Sequence, residues 1–204
     1  MDIEWSCQER EMKLEQFDYK YMPELVERVY NLWTPPQAEE SFKRIYAEAV
    51  IRQDMHANNM QFQLTEGGRI MAVACASRKG EENSAGKWWN EQFAKLTDSQ
   101  KIGFNMSREY ITLMDKKTYE FMTEDDVKLD MFISTEKGWG KKVLDGAVAS
   151  FKQAGFKNLF LWTDTDCNVD WYIAHNYELV DEDVYEPFSS EEDYKTYIFK
   201  MKME

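Results

Sequence analysis

Two glycines one residue apart, Gly138 and Gly140, stand between lysines in the stretch STEKGWGKKVLDG, in a chain of 204 residues with only nine glycines. Residues 130–134 read as the end of a strand and residues 143–151 as a helix. A strand that turns through Gly-x-Gly into a helix presents backbone N–H groups with no partner, backed by the positive end of the helix dipole. Glycine lets the main chain approach a phosphate closely, and Lys137, Lys141 and Lys142 add positive charge there. The pattern predicts an anion site, although a plain tight turn would use the same two glycines. It is not a Walker A loop, which would need glycine where Thr135 stands and Ser or Thr where Lys142 stands. Nor is it the dinucleotide fingerprint, whose third glycine would fall on Val143.

The elements that must position this turn follow from periodicity. A first strand is expected over residues 12–19. A helix follows with Met22, Leu25, Val26, Val29 and Trp33 on one stripe and Pro23 at its first turn. A second helix carries Phe42, Ile45, Tyr46 and Ala49 and fades at Asn58 and Asn59. A hairpin turns at Gly67 and Gly68. Residues 80–122 interrupt the alternation with two aromatic-rich helices, WWNEQFAKL and SREYITLMDKKTYEFM. Then come the strand DVKLDMFIS, a helix from about Gly138 to Ala154 stopped by Gly155, and the nearly continuous apolar strand NLFLWTDT. A short helix, NVDWYIAHN, leads to two final strands. With no repeat and no Pro/Gly/Ser-rich linker, residues 1–204 are expected to form one domain with a helical insertion at about 80–122.

Composition bounds the function. The formal net charge of −13 repels the phosphates on which nucleic-acid binders depend, so no nucleic-acid partner is expected and a cationic ligand is favoured. No run approaches the roughly 18 apolar residues of a membrane span, and the N-terminal MDIEWSCQEREMK has no basic region followed by an apolar one. Three cysteines without C-x-x-C spacing and two histidines without H-E-x-x-H predict neither a disulfide framework nor a catalytic metal. A cytoplasmic protein without membrane partners is the expectation.

At the glycine turn and again 30 residues on, the chain resembles the GNAT superfamily of N-acetyltransferases. The family's acetyl-CoA motif is Gln or Arg, two residues, Gly, one residue, then Gly or Ala, and TEKGWG matches it at Gly138 and Gly140. The family's second motif, Asn followed by an aromatic-Tyr pair and Gly-Phe, corresponds to Asn168, Trp171-Tyr172 and Asn176-Tyr177. Thr135 departs from the preferred Gln or Arg, Glu136 stands where a further glycine is common, and Asn176 replaces glycine. The resemblance implies an α/β fold with a mixed, mostly antiparallel seven-stranded sheet flanked by helices, the insertion falling between the third and fourth strands. It implies acetyl-CoA as co-substrate and transfer to a primary amine of a small, cationic acceptor by direct attack in a ternary complex.

What the resemblance implies for residues is specific. The fourth and fifth strands part to admit the pantetheine arm, main-chain groups near Ile133 bind it and polarise the thioester, and Asn168 contacts it. Ser134, Lys137, Gly138, Trp139, Gly140, Lys141 and Lys142 would frame the pyrophosphate, and Tyr172 would protonate the leaving thiolate. Amide formation also needs a base, because an amine of pKa near 10 is only about 0.1% neutral at pH 7. Asp130, alternating with Leu129 and Met131, and Asp164, ending the fifth strand, are the candidates. The insertion's aromatics and the acidic run DEDVYEPFSSEED at 181–193 would face the acceptor or simply pack and solvate. Two other readings stay open: a non-catalytic acyl-CoA-binding sensor or partner module, and a protein or peptide N-acetyltransferase. A homodimer would be unsurprising.

Overall fold

The computed structural model describes residues 14–34, 36–83, 85–190 and 192–203. Seven strands form one sheet: β1 (Glu15–Gln16), β2 (Gln61–Glu66), β3 (Arg69–Arg78), β4 (Asp126–Ser134), β5 (Asn158–Asp164), β6 (Glu178–Val184) and β7 (Lys195–Lys202). Their order across the sheet is β1-β2-β3-β4-β5-β7-β6, and every neighbouring pair is antiparallel except β4 with β5. This is the mixed, mostly antiparallel sheet expected. The β2–β3 hairpin closes through Gly67 and Gly68 at φ 58° and 79°, values that a side chain would resist.

Helices cover both faces. α1 (Met22–Trp33) and α2 (Glu40–Gln53) lie on one, where Leu25, Val29, Ala47 and Ile51 pack against Val73, Cys75, Met131 and Ile133. α5 (Trp139–Gln153) covers the other, burying Val143, Leu144, Ala147 and Phe151 among Val127, Leu129, Leu159 and Leu161. The insertion forms α3 (Gly86–Phe93) and α4 (Asp98–Phe121), the latter laying Tyr110 and Met114 over Phe160 and Ile198. A short α6 (Val169–Ala174) follows β5.

Three expected boundaries differ. Of the strand foreseen at 12–19, residues 12 and 13 lie outside the described residues, and only Glu15–Gln16 pairs with β2. α2 stops at Gln53 rather than near Asn58, because the chain turns so that His56 forms an isolated antiparallel bridge with Asn83. α4 starts at Asp98, not at Ser107: Thr97 and Gln100 form a reciprocal capping box, and the helix runs on through Gly103.

Two irregularities in β4 shape the centre of the sheet. β4 and β5 pair only at Asp126↔Asn158, Val127↔Leu159 and Lys128↔Phe160, and part beyond. On the opposite edge of β4, Cys75 faces Met131 and Ala76 faces Leu129, so Asp130 is an extra, unpaired residue in a bulge.

Candidate functional site

The splayed strands open a cleft of about 730 Å³, lined by Phe132, Ser134 to Gly138, Gly140 and Lys141 on the β4–α5 side and by Cys167, Asn168, Trp171, Tyr172 and His175 on the α6 side. The two stretches singled out in the sequence therefore meet. The two glycines do different work. Gly138 caps α5 at φ 90°, a left-handed conformation that turns the chain from strand to helix. Gly140 sits where a Cβ would meet the Phe132 ring at 3.0 Å and Ser134 Cβ at 3.2 Å, so its missing side chain lets the helix N-terminus close onto β4. The first-turn amides of α5, which have no carbonyl four residues back within the helix, stand at the mouth of this cleft.

The two family departures in the loop acquire local reasons. Thr135 donates its amide (2.9 Å) and its hydroxyl (3.0 Å) to the carbonyl of Met71, tying the loop to β3. Glu136 is exposed, with its carboxylate 3.9 Å from Arg69, and its carbonyl accepts from Ser134 Oγ at 2.6 Å. Lys137 makes no ion pair among the described residues, whereas Lys141 is held by Asp145 at 2.6 Å and Lys142 lies over the Trp139 ring at 4.8 Å. Trp139 itself is buried in the core beneath the turn, and Ile133 points its side chain to the α1–α2 face, so only its main chain is on the cleft side.

Asn168 accepts from the amide of Trp171 at 3.3 Å and thereby caps α6. Tyr172 packs on Phe199, Trp171 and Tyr177, with ring centroids 5.5, 5.3 and 5.4 Å away. Burial, then the neighbouring Cys167 and Tyr177, push its phenol well up, so it holds its proton at neutral pH. His175 is exposed and stacks on Trp171 at 4.0 Å, and Asn176 terminates α6 at φ 62°.

Asp130 lies on the other side of the sheet, in a buried ionic cluster that sequence reasoning missed. Its side chain is 1% exposed; Oδ1 pairs with Lys128 and accepts from Ser77 Oγ at 2.9 Å. Lys128, also buried, reaches Asp115 of α4 at 2.6 Å, and Trp162 donates to the same Asp115 oxygen. Burial opposes the charge on Lys128, but Asp130 and Asp115 outweigh it and raise its pKa; burial raises Asp130 as well, against the pull of Lys128 and His56. The sequence signal available was the i, i+2 pair Lys128 and Asp130 inside an otherwise apolar strand. Nothing local pointed to Asp115 or His56.

The insertion's aromatics divide. Trp89, Phe93 and Phe104 pack with Phe42 and Ala49 between helices. Tyr110 instead donates to Asp164 at 2.9 Å and meets Tyr185 and Phe188 of the β6–β7 connection at 4.8 and 5.0 Å. The acidic run at 181–193 is partly neutralised from outside: Lys117 pairs with Asp183 at 2.5 Å and Lys195 with Glu182 at 2.7 Å. Among the described residues there is no group of three or more His, Cys, Asp or Glu placed to hold a metal, and no helix long and apolar enough to cross a membrane.

A sheet opened between a fourth and fifth strand, with a glycine turn and a capped tyrosine helix on its rim, is the GNAT acetyltransferase fold, and the chain adopts it. It is similar over 95% of its length to arylalkylamine N-acetyltransferase 2 from Aedes aegypti (100% of that chain, 14% identity, TM-score 0.53). It is similar over 94% to the ribosomal-protein-S18-alanine N-acetyltransferase from Escherichia coli (93% of that chain, 11% identity, TM-score 0.53). The Drosophila melanogaster polyamine N-acetyltransferase aligns over 94% of this chain and 99% of its own, at 13% identity and a TM-score of 0.51. No family model and no curated relative matches the sequence.

Proposed function

We propose that the protein is an acetyl-CoA-dependent N-acetyltransferase acting on a primary amine of a small, cationic acceptor. The observation that carries this reading is the split of β4 from β5 beyond Lys128 and Phe160, with the Gly138–Gly140 turn on one rim and Tyr172 on the other. The residues fit the co-substrate: Gly140 has no Cβ to hold α5 off the strand, and Lys137 with the first-turn amides offers positive charge to a pyrophosphate. Main-chain groups of Leu129 to Ile133 that face away from β3 have no ladder partner on β5, which suits them to hold an extended arm and polarise a carbonyl. When bound, acetyl-CoA supplies the activated acyl group.

The protein's own groups then divide the proton work. The acceptor ammonium must lose a proton before its nitrogen can form the C–N bond, and Asp130 is the base proposed for it, acting through water because its own carboxylate is buried. As the C–S bond breaks, the thiolate needs a proton, and Tyr172, held protonated by its burial, is the donor. Supporting a cationic acceptor are the net charge of −13 and the similar structures whose names record polyamine, agmatine and arylalkylamine acetylation. Calorimetric titration with acetyl-CoA, followed by thiol release with spermidine, agmatine, tyramine and an N-terminal alanine peptide, tests it. Turnover of at least one amine is expected; tight acetyl-CoA binding with none turned over would favour a sensor module.

A further inference from the structure

The two rims of the open cleft differ in chemistry. The turn side carries Lys137, Lys141 and the first-turn amides of α5, groups that suit negative charge. The α6 side has no lysine or arginine among its lining residues; Trp171, Tyr172 and His175 make it a wall of rings beside Cys167 and Asn168.

His175 is exposed, yet its imidazole is held in one orientation. It lies 4.0 Å from the Trp171 indole with 19° between the planes, and its Nδ1 is 2.7 Å from the carbonyl of Trp171. A carbonyl only accepts, so Nδ1 carries a proton and donates it, which fixes the rotation of the ring as well as its plane. The backbone is fixed too: the amide of His175 donates to the carbonyls of Trp171 and Tyr172 at 3.1 Å, and Asn176 closes the helix at φ 62°. Beneath it, Trp171 is wedged against Phe132, Tyr172 and Tyr177, with ring centroids 6.1, 5.3 and 6.2 Å away. Phe132 belongs to β4, so the stack is anchored to both rims.

Helix capping does not call for this arrangement. A histidine near a helix C-terminus gains from the dipole in several rotamers, whereas holding one ring flat on another gives up the rotamer freedom of an exposed side chain. The return is a preorganised aromatic surface, covered on one face by indole and with no second ring packed on it among the described residues. Such a surface takes a planar π-system, because base–aromatic stacking depends on ring faces rather than on matched hydrogen bonds.

We infer that the Trp171–His175 stack is the platform for the adenine ring of the co-substrate, and that His175 sets the preference for CoA over a shorter carrier of the same thiol. This rests on the acetyl-CoA reading above. The unpaired main chain of β4 suits the pantetheine arm and the glycine turn suits the pyrophosphate, which leaves the purine to the rim made of rings.

Calorimetric titration of the full chain with CoA and with 4′-phosphopantetheine, which lacks the adenosine part, tests the platform. The wild type is expected to bind CoA more tightly. His175→Ala should bind CoA about 10-fold more weakly with its affinity for phosphopantetheine unchanged, and His175→Phe, which keeps a ring without ring nitrogens, should stay within about 3-fold of the wild type. A loss in His175→Ala shared equally by the two ligands would mean that the residue only supports α6, and would overturn the platform. So would a His175→Phe variant as weak as His175→Ala, because a nitrogen and not a ring face would then make the contact. A wild type that binds CoA no better than phosphopantetheine overturns the platform and leaves the acetyl-CoA reading in place; one that binds neither removes both.

Discussion

The two sides of the split sheet are built on opposite principles. On the α5 side the cleft is open, the main chain and lysines of its glycine turn face the aromatic rings of Trp171 and Tyr172, and its shape comes from a missing Cβ and one left-handed residue. On the α2–α4 side the charges are buried: three carboxylates, a lysine and a histidine converge from the end of α2, from α4 and from β4. The first arrangement suits a large anionic ligand that must come and go. The second suits a charge that must be handled out of water. Comparing them shows where the protein spends stability: the open side is assembled from cheap local geometry, the closed side from buried charges that gain little even when paired.

That contrast can be broken most directly at Lys128. Lys128→Met leaves Asp115 and Asp130 facing each other without compensation, and urea unfolding should show a loss of about 3–5 kcal/mol. A loss under 1 kcal/mol would mean that the cluster is solvated and that the two sides are alike. On the open side, Tyr172→Phe should lower kcat about 10²-fold, about 2.7 kcal/mol in barrier, while leaving calorimetric acetyl-CoA affinity intact. Gly140→Ala should destabilise by about 1–3 kcal/mol and weaken acetyl-CoA binding, because the new methyl must push against Phe132 and Ser134. Gly138→Ala, where space is free but φ is 90°, should cost about 1–2 kcal/mol of conformational strain with no overlap. If the two glycine variants bind acetyl-CoA equally well, the distinction drawn between the glycines fails.

The smallest effect concerns pH. Although part of residue Asp54 reaches the surface, its carboxyl is desolvated, and burial, then Asp130 and Asp115, hold its pKa well above the usual carboxylate range. A carboxyl raised in the folded state keeps its contribution below the ordinary value near ~3.9 and loses it as pH rises through the folded value. Asp54→Asn removes that loss, so the fall in Tm as pH rises above the ordinary carboxylate value should be shallower than in the wild type. A slope identical to the wild type's would show that Asp54 is not desolvated.

The open side was legible in the sequence because its parts are neighbours along the chain. Gly138, Gly140 and the lysines share one turn, and Asn168 and Tyr172 share one short helix, so spacing alone brings each set together. The closed side was not, since Ser77 and Asp130 are 53 residues apart and Trp162 and Asp115 are 47 apart, and periodicity says nothing about such pairs. The insertion was recognised, but its division of labour was not. Tyr110 and Trp89 look alike in a string of aromatics, and only packing sends one to Asp164 and the other to Phe104. The α4 start was hidden because Gly103 and polar neighbours mask a helix that its capping box nevertheless fixes.

The bulge at Asp130 has a consequence for phase. Before it, Val127 and Leu129 face α5; after it, Met131 and Ile133 face α1 and α2, and it is Phe132 and Ser134 that meet Gly140. One inserted residue thus inverts the parity of the strand between the core and the turn. Were Asp130 instead taken into the ladder as a regular residue, Met131 and Ile133 would turn under α5 and Phe132 toward the opposite helices, so the two sides of the sheet keep their separate characters through a single step in the count.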